Sequence, residues 1–216
     1  MKTKKLLYII PIIFFTLFLV LTVLLIVTKP NDPWSSVLPK TGLVELNHIF
    51  GSFEYNSILD LFSDFFMIVG LLGMIIMAGI GLYQLIRRKS LKKVDTDILL
   101  FGGMILLMIW FWLFFEMYSI SYRPLPNDYS SSYPSTHVMI VTTTFFILSW
   151  MLHKRLNKRW VIVVAYFVSA ASLLATFILR IVSGMHWFTD CLGGVLIGFT
   201  FVSLFLCLNI DFNNRK

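Results

Sequence analysis

The sequence predicts an all-α integral membrane protein: six transmembrane helices in one domain, 1–216, with both termini cytoplasmic. Three observations carry this. The 216 residues are 58% hydrophobic and 13% charged, where soluble domains average about 45–50% apolar and about 25% charged. Six apolar runs are long enough to cross about 30 Å of hydrocarbon, which takes roughly 20 helical residues. Fourteen of the 18 basic residues fall on one side of a six-span chain, which is the cytoplasmic side by the positive-inside rule. Composition therefore excludes a soluble globule, a disordered chain and a disulfide scaffold. The net charge of +7 invites a nucleic-acid partner. The charges are split among short loops, however, and no nucleic acid is expected.

The runs are 6–28, 59–86, 96–118, 136–153, 160–180 and 188–209. In lipid every backbone polar group needs an internal partner, which leaves helices or closed barrels. These runs are continuously apolar rather than alternating, so they are helices. The first follows Lys2, Lys4 and Lys5 but exceeds the apolar stretch of a secretion signal and lacks its small-residue exit, so it reads as a retained span. Arg87, Arg88, Lys89, Lys92 and Lys93 join spans two and three. Lys154, Arg155, Lys158 and Arg159 join spans four and five, and Arg215 and Lys216 follow span six. Lys29, Lys40, Arg123 and Arg180 remain on the outer side.

The outer segment 29–58 mixes Leu38, Leu43, Val44, Leu46, Ile49 and Phe50 with polar residues, a pattern for an interfacial helix. Asp60 and Asp64 share a helical face and read as acids at a helix start. Gly70, Gly73, Gly79 and Gly81, with Gly193, Gly194 and Gly198, suit close helix packing. Trp110, Trp112, Tyr118, Tyr122, Tyr129 and Tyr133, with Trp34 and Trp187, form an expected outer aromatic belt. Cys191 and Cys207 lie roughly 24 Å apart along one helix, too far for a disulfide.

Ionisable residues at membrane depth are costly and mark function. Arg123, His137, Arg180, His186 and Asp190 converge at the outer ends of spans three to six. Guanidiniums are planar, permanently charged donors for phosphate. The turn at Pro134, Ser135 and Thr136 leads into a helix whose free N–H groups favour an anion. Histidine serves as nucleophile or general acid near neutral pH, and Asp190, four residues after His186, can orient it. The set suits phosphoryl transfer. A zinc ion bound by the two histidines and Asp190 is disfavoured, because two arginines would repel it. Ser135 also reads as a helix N-cap, and Glu116 as a partner of Arg123.

Arg123-Pro124, Pro134-Ser135-Thr136-His137 and Arg180-x5-His186-x3-Asp190 resemble the tripartite pattern of the type 2 phosphatidic acid phosphatase (PAP2) superfamily. That pattern is Lys-x6-Arg-Pro, Pro-Ser-Gly-His and Ser-Arg-x5-His-x3-Asp. The resemblance implies a PAP2-like helical bundle and a lipid phosphatase that needs no metal or other cofactor. His186 would attack phosphorus, Asp190 would orient it, and His137 would protonate the leaving group. Arg123, Arg180 and Ser135, with Thr136 beside them, would hold the phosphate. The chain departs from the pattern at Glu116 (Lys in the family), Thr136 (Gly) and Leu179 (Ser). The expected substrate is a lipid phosphomonoester or diphosphate at the outer leaflet of the cell membrane. Undecaprenyl diphosphate leads; phosphatidic acid and phosphatidylglycerol phosphate are rivals. The three departures motivate a second expectation, a non-catalytic lipid-phosphate binding or transport protein.

Overall fold

The computed structural model describes residues 8–30, 41–51, 53–156 and 158–213. Among them seven α-helices run in the order α1 (Ile9–Val27), α2 (Val44–Ile49), α3 (Ser57–Arg88), α4 (Thr96–Met117), α5 (Thr136–Leu156), α6 (Arg159–Val182) and α7 (Phe188–Asn213). A 3-10 turn, Leu91–Lys93, joins α3 to α4. All but α2 are long and apolar enough to cross a membrane, so this is a multi-pass, all-helical membrane protein. The helix ends fall within four residues of the expected ones. The largest differences come from helices that continue past the apolar run into polar ends, such as Asn209 to Asn213 on α7. Lys2, Lys4, Lys5, Trp34, Leu38, Lys40, Arg215 and Lys216 lie outside the described residues.

α5 and α7 form the centre. α5 packs against α3, α6 and α7, while α7 also receives α1 and α4. Over an apolar stretch of 18 residues in each helix, 61% of α7 is buried against 11% of α3. Leu61, Phe62, Phe65 and Leu72 of α3 are exposed. In lipid such residues cost nothing, so burial follows packing fit rather than apolarity. Phe18 of α1 stacks on Tyr133 (ring centroids 5.7 Å apart) and meets Phe115 edge-on at 5.7 Å. Gly73 and Gly198 admit Leu148 and Thr142, whereas Gly79 faces open space and packs against nothing.

The α3–α4 and α5–α6 connections lie together at one end. There Arg155 pairs with buried Asp97 at 2.9 Å and Arg88 with Asp95 at 3.0 Å. The other end holds the α4–α5 and α6–α7 connections.

Segment 29–58 contains α2, six residues long. Its Asn47 is buried, and the Asn47 Oδ1 accepts from the Thr189 N–H at 3.1 Å. Phe50 stacks on Phe188 at 3.8 Å. Asn47 thus caps α7, while Glu45, His48, Ile49 and Phe50 stay exposed. Two of the expected belt aromatics are also internal. Tyr133 is buried with its hydroxyl 2.8 Å from Thr22 Oγ1, and Trp187 is buried with Nε1 donating to the Tyr122 carbonyl at 2.9 Å. Each ring has a polar atom with a protein partner, which removes its reason to sit at the interface.

Candidate active site

The site is built by backbone contacts between distant segments. Asn56 caps α3, its Oδ1 accepting from the N–H groups of Ile58 (3.1 Å) and Leu59 (3.2 Å). The Asn56 N–H in turn donates to the Ser183 carbonyl just after α6, at 3.0 Å. This crossing needs Gly184, which has φ +72° and lies against the Phe53 and Glu54 backbone, where a Cβ would collide. At the start of α5 the Ser135 N–H donates to the Asp190 carbonyl at 2.9 Å. Gly193 and Gly194 let that turn lie on α7, since a Cβ would strike the Tyr133 ring and the Ser135 carbonyl.

These contacts surround a cavity of about 240 Å³ whose wall includes Arg123, Thr136, His137, Arg180, His186 and Glu116. His137 is the second residue of α5, and Arg180 lies within α6, two residues before its end. His186 lies in the α6–α7 connection, not on α7, so it and Asp190 do not share a helical face. Asp190 is fully buried in the first turn of α7. Six of the eight residues singled out in the sequence therefore line one cavity, and Asp190 stands behind its wall. The eighth, Ser135, is buried and does not line it. The Ser135 carbonyl accepts the first helical bond, from the Met139 N–H at 3.0 Å, but its hydroxyl caps no backbone N–H among the described residues. Glu116 is exposed and makes no ion pair with Arg123 among the described residues.

The nucleophile candidate is oriented through an intermediary. His186 Nδ1 lies 3.6 Å from Asp190 Oδ2, beyond hydrogen-bond reach, and 3.1 Å from Ser132 Oγ. Ser132 donates its hydroxyl hydrogen to Asp190 Oδ2, which also receives the Trp187 N–H at 2.9 Å. The serine hydrogen is thus committed to the carboxylate, so His186 Nδ1–H donates to Ser132. His186 Nε2 keeps its lone pair. Burial first, then the charges of Arg180 and Arg123, holds the imidazole well below the ordinary histidine range, in its neutral form.

The arginines have donors to spare. Arg180, buried, donates through Nη1 to Asp60 and, at 3.2 Å, to Ser63 Oγ, yet its Nε meets no partner among the described residues. The buried Nε of Arg123 is likewise without a partner. Buried donors without acceptors are rare, and two beside one polar cavity suit an anion.

Three residues carry site contacts that sequence reasoning missed. Asp60 and Asp64 are not idle helix-start acids: Asp60 pairs with Arg180, and Asp64 Oδ1 accepts from His137 Nε2 at 2.7 Å. Their spacing put them on one face, but their partners lie 120 and 73 residues away. Ser132 left no signal, since it is the last of three consecutive serines in a connecting loop, where serine is common.

The fold and cavity define a multi-pass helical membrane protein with an arginine- and histidine-lined cavity at one end. The PAP2 superfamily profile matches residues 106–214, just over half of the 216, and the chain belongs to the PAP2 superfamily. The fold is similar to that of the first transmembrane PAP2-type phosphatidylglycerolphosphate phosphatase from Bacillus subtilis. The two chains are 20% identical, over 94% of this chain and 96% of that one, with a TM-score of 0.60. No curated protein sequence matches the chain.

Proposed function

We propose that the protein is a lipid phosphatase working through a phosphohistidine on His186. The observation that carries this reading is one cavity lined by a neutral, oriented imidazole and by two arginines, each of which keeps a buried N–H without an acceptor among the described residues. Arg123 and Arg180 hold the phosphate oxygens, with the Thr136 end of α5 adding helix-terminal attraction. His186 Nε2 attacks phosphorus, the P–O bond to the lipid breaks, and His137 gives the leaving oxygen a proton. Water then attacks the phosphohistidine and loses a proton to His137, the N–P bond breaks, and phosphate leaves. Asp190, through Ser132, steadies the imidazole as a charge develops on it. Fixed charges placed where the transition state needs them supply most of such a rate enhancement. No metal ion takes part in these steps.

The chain works as one membrane domain, with the basic loops cytoplasmic and the cavity at the outer face of the cell membrane. The substrate is a lipid phosphomonoester or diphosphate. Within that class undecaprenyl diphosphate leads, ahead of phosphatidic acid and phosphatidylglycerol phosphate. Ser135 contributes by setting the α5 turn against Asp190 rather than through its hydroxyl.

The test is phosphate release from a panel of these lipids with and without excess EDTA. Release is expected in both, and His186→Ala is expected to abolish it. Retained activity in that variant would sink the assigned nucleophile. The Glu116 carboxylate in the cavity wall favours one other reading, a non-catalytic lipid-phosphate binder on the same scaffold. That reading requires lipid binding without turnover, both in the natural chain and in Glu116→Lys.

A further inference from the structure

α3 contributes no residue to the cavity wall, yet it touches two of the groups that do. Its first two turns present Asp60, Ser63 and Asp64 at the spacing of one helical face. Asp60 and Ser63 take the Arg180 Nη1 hydrogens; Asp64 takes the His137 Nε2 hydrogen at 2.7 Å and lies 3.8 Å from Arg180 Nη1. The bond from Asn56 to Ser183 fixes the start of α3 against the end of α6, so this face cannot slide along its partners without breaking it.

We infer that Asp64 is a positioning residue for proton donation, acting through His137 and not on the substrate. The inference rests on the reading of His137 as the acid. A carboxylate only accepts, so the hydrogen between Asp64 and His137 belongs to Nε2. The nitrogen left for the substrate is Nδ1. For Nδ1 to donate while Nε2 keeps its hydrogen, the ring must be an imidazolium. The charged or titratable groups facing it are Arg180 from α6, His186 from the α6–α7 connection and Asp64 from α3. Of these, Asp64 is the anion that balances the ring charge. In the transfer the Nδ1–H bond breaks, an O–H bond forms on the leaving oxygen, and the neutral ring stays tethered through Nε2. When water attacks the phosphohistidine, Nδ1 takes the water's proton and the imidazolium is restored. No proton is gained or lost over the cycle.

General-acid help matters most for a poor leaving group. The experiment therefore compares phosphatidic acid, whose leaving group is an alkoxide, with p-nitrophenyl phosphate, whose leaving group departs readily, using the full-length protein in detergent. Asp64→Asn is expected to lower kcat on phosphatidic acid at least about tenfold more than on p-nitrophenyl phosphate, with KM little changed. Asp64→Glu is expected to restore much of the difference. In a His137→Gln background the Asp64→Asn change is expected to add nothing. Should Asp64→Asn fail to fold, Asp64→Ser removes the same charge and carries the same comparison. Equal losses on both substrates, or full additivity with His137→Gln, would overturn the inference alone. A natural chain that hydrolyses neither substrate overturns the phosphomonoester reading and this inference with it.

Discussion

The two ends of the molecule use the same residue types to different effect. At the end with the basic loops, Arg155 reaches both Asp97 (2.9 Å) and Asp95 (3.9 Å), Arg88 reaches Asp95, and the Asp95 backbone and carboxylate are closed by Gln84. Each of these four charges answers another. At the cavity end Arg180 also has an aspartate, yet it keeps a buried N–H with no acceptor, as does Arg123, and two imidazoles face the same space. Arginine and aspartate counts would not separate the two. The difference is whether the polar capacity is used up inside the protein or left over in side chains that line a cavity.

The sharpest way to break that contrast is to remove the fork. Arg180→Lys keeps a positive charge but loses the planar, multidentate donors, and kcat/KM for phosphate release should fall on the order of 10²-fold. Next in size is Glu116→Lys, which restores the family's cation. It should raise kcat/KM about fivefold, on the order of 1 kcal/mol of added phosphate attraction. A fall would mean that Glu116 serves this protein's own substrate.

A pH series is subtler. Burial and the two arginines keep His186 neutral to well below the ordinary range. Lowering the pH to 6.5 should cost less than about a quarter of the nucleophile's activity, where an unperturbed histidine would lose about half. The same shift sets a stability trend: above about pH 6.5 it adds no pH dependence, and below that the unfolded chain binds a proton the folded site refuses, so stability falls with pH. At the other end the expected effect on catalysis is nil. Asp97→Asn should leave kcat unchanged while lowering the thermal midpoint by about 2–4 °C, because half-exposed Arg155 is partly screened by solvent. Loss of activity there would mean the two ends are coupled.

The six spans were legible because hydropathy over about 20 residues is a strong, local signal. The candidate site was legible for another reason: arginine, histidine and aspartate have few structural excuses at membrane depth. What stayed hidden was everything defined by a partner. Asp60 and Asp64 have the spacing of ordinary first-turn acids, and only the meeting of α3 with α5 and α6 reveals them. Ser132 carries a contact that direct carboxylate–imidazole pairing would have made unnecessary, and no spacing rule foretells the 3.6 Å gap it bridges. Tyr133 and Trp187 have interfacial composition but buried hydrogen-bond partners. Pattern reports what a residue can do, and packing decides whether it is asked to.

The Asn47 cap on α7 has a consequence for assembly. The two residues it joins, Asn47 and Thr189, are 142 apart in sequence. A ribosome makes the cap early and the helix it completes near the end, so α7 reaches its finished first turn only after the intervening spans are threaded. That turn carries Asp190 and adjoins His186. The candidate site is therefore completed late in biogenesis: a chain threaded only through α6 already holds Arg123, His137 and Arg180 but lacks the turn that carries Asp190.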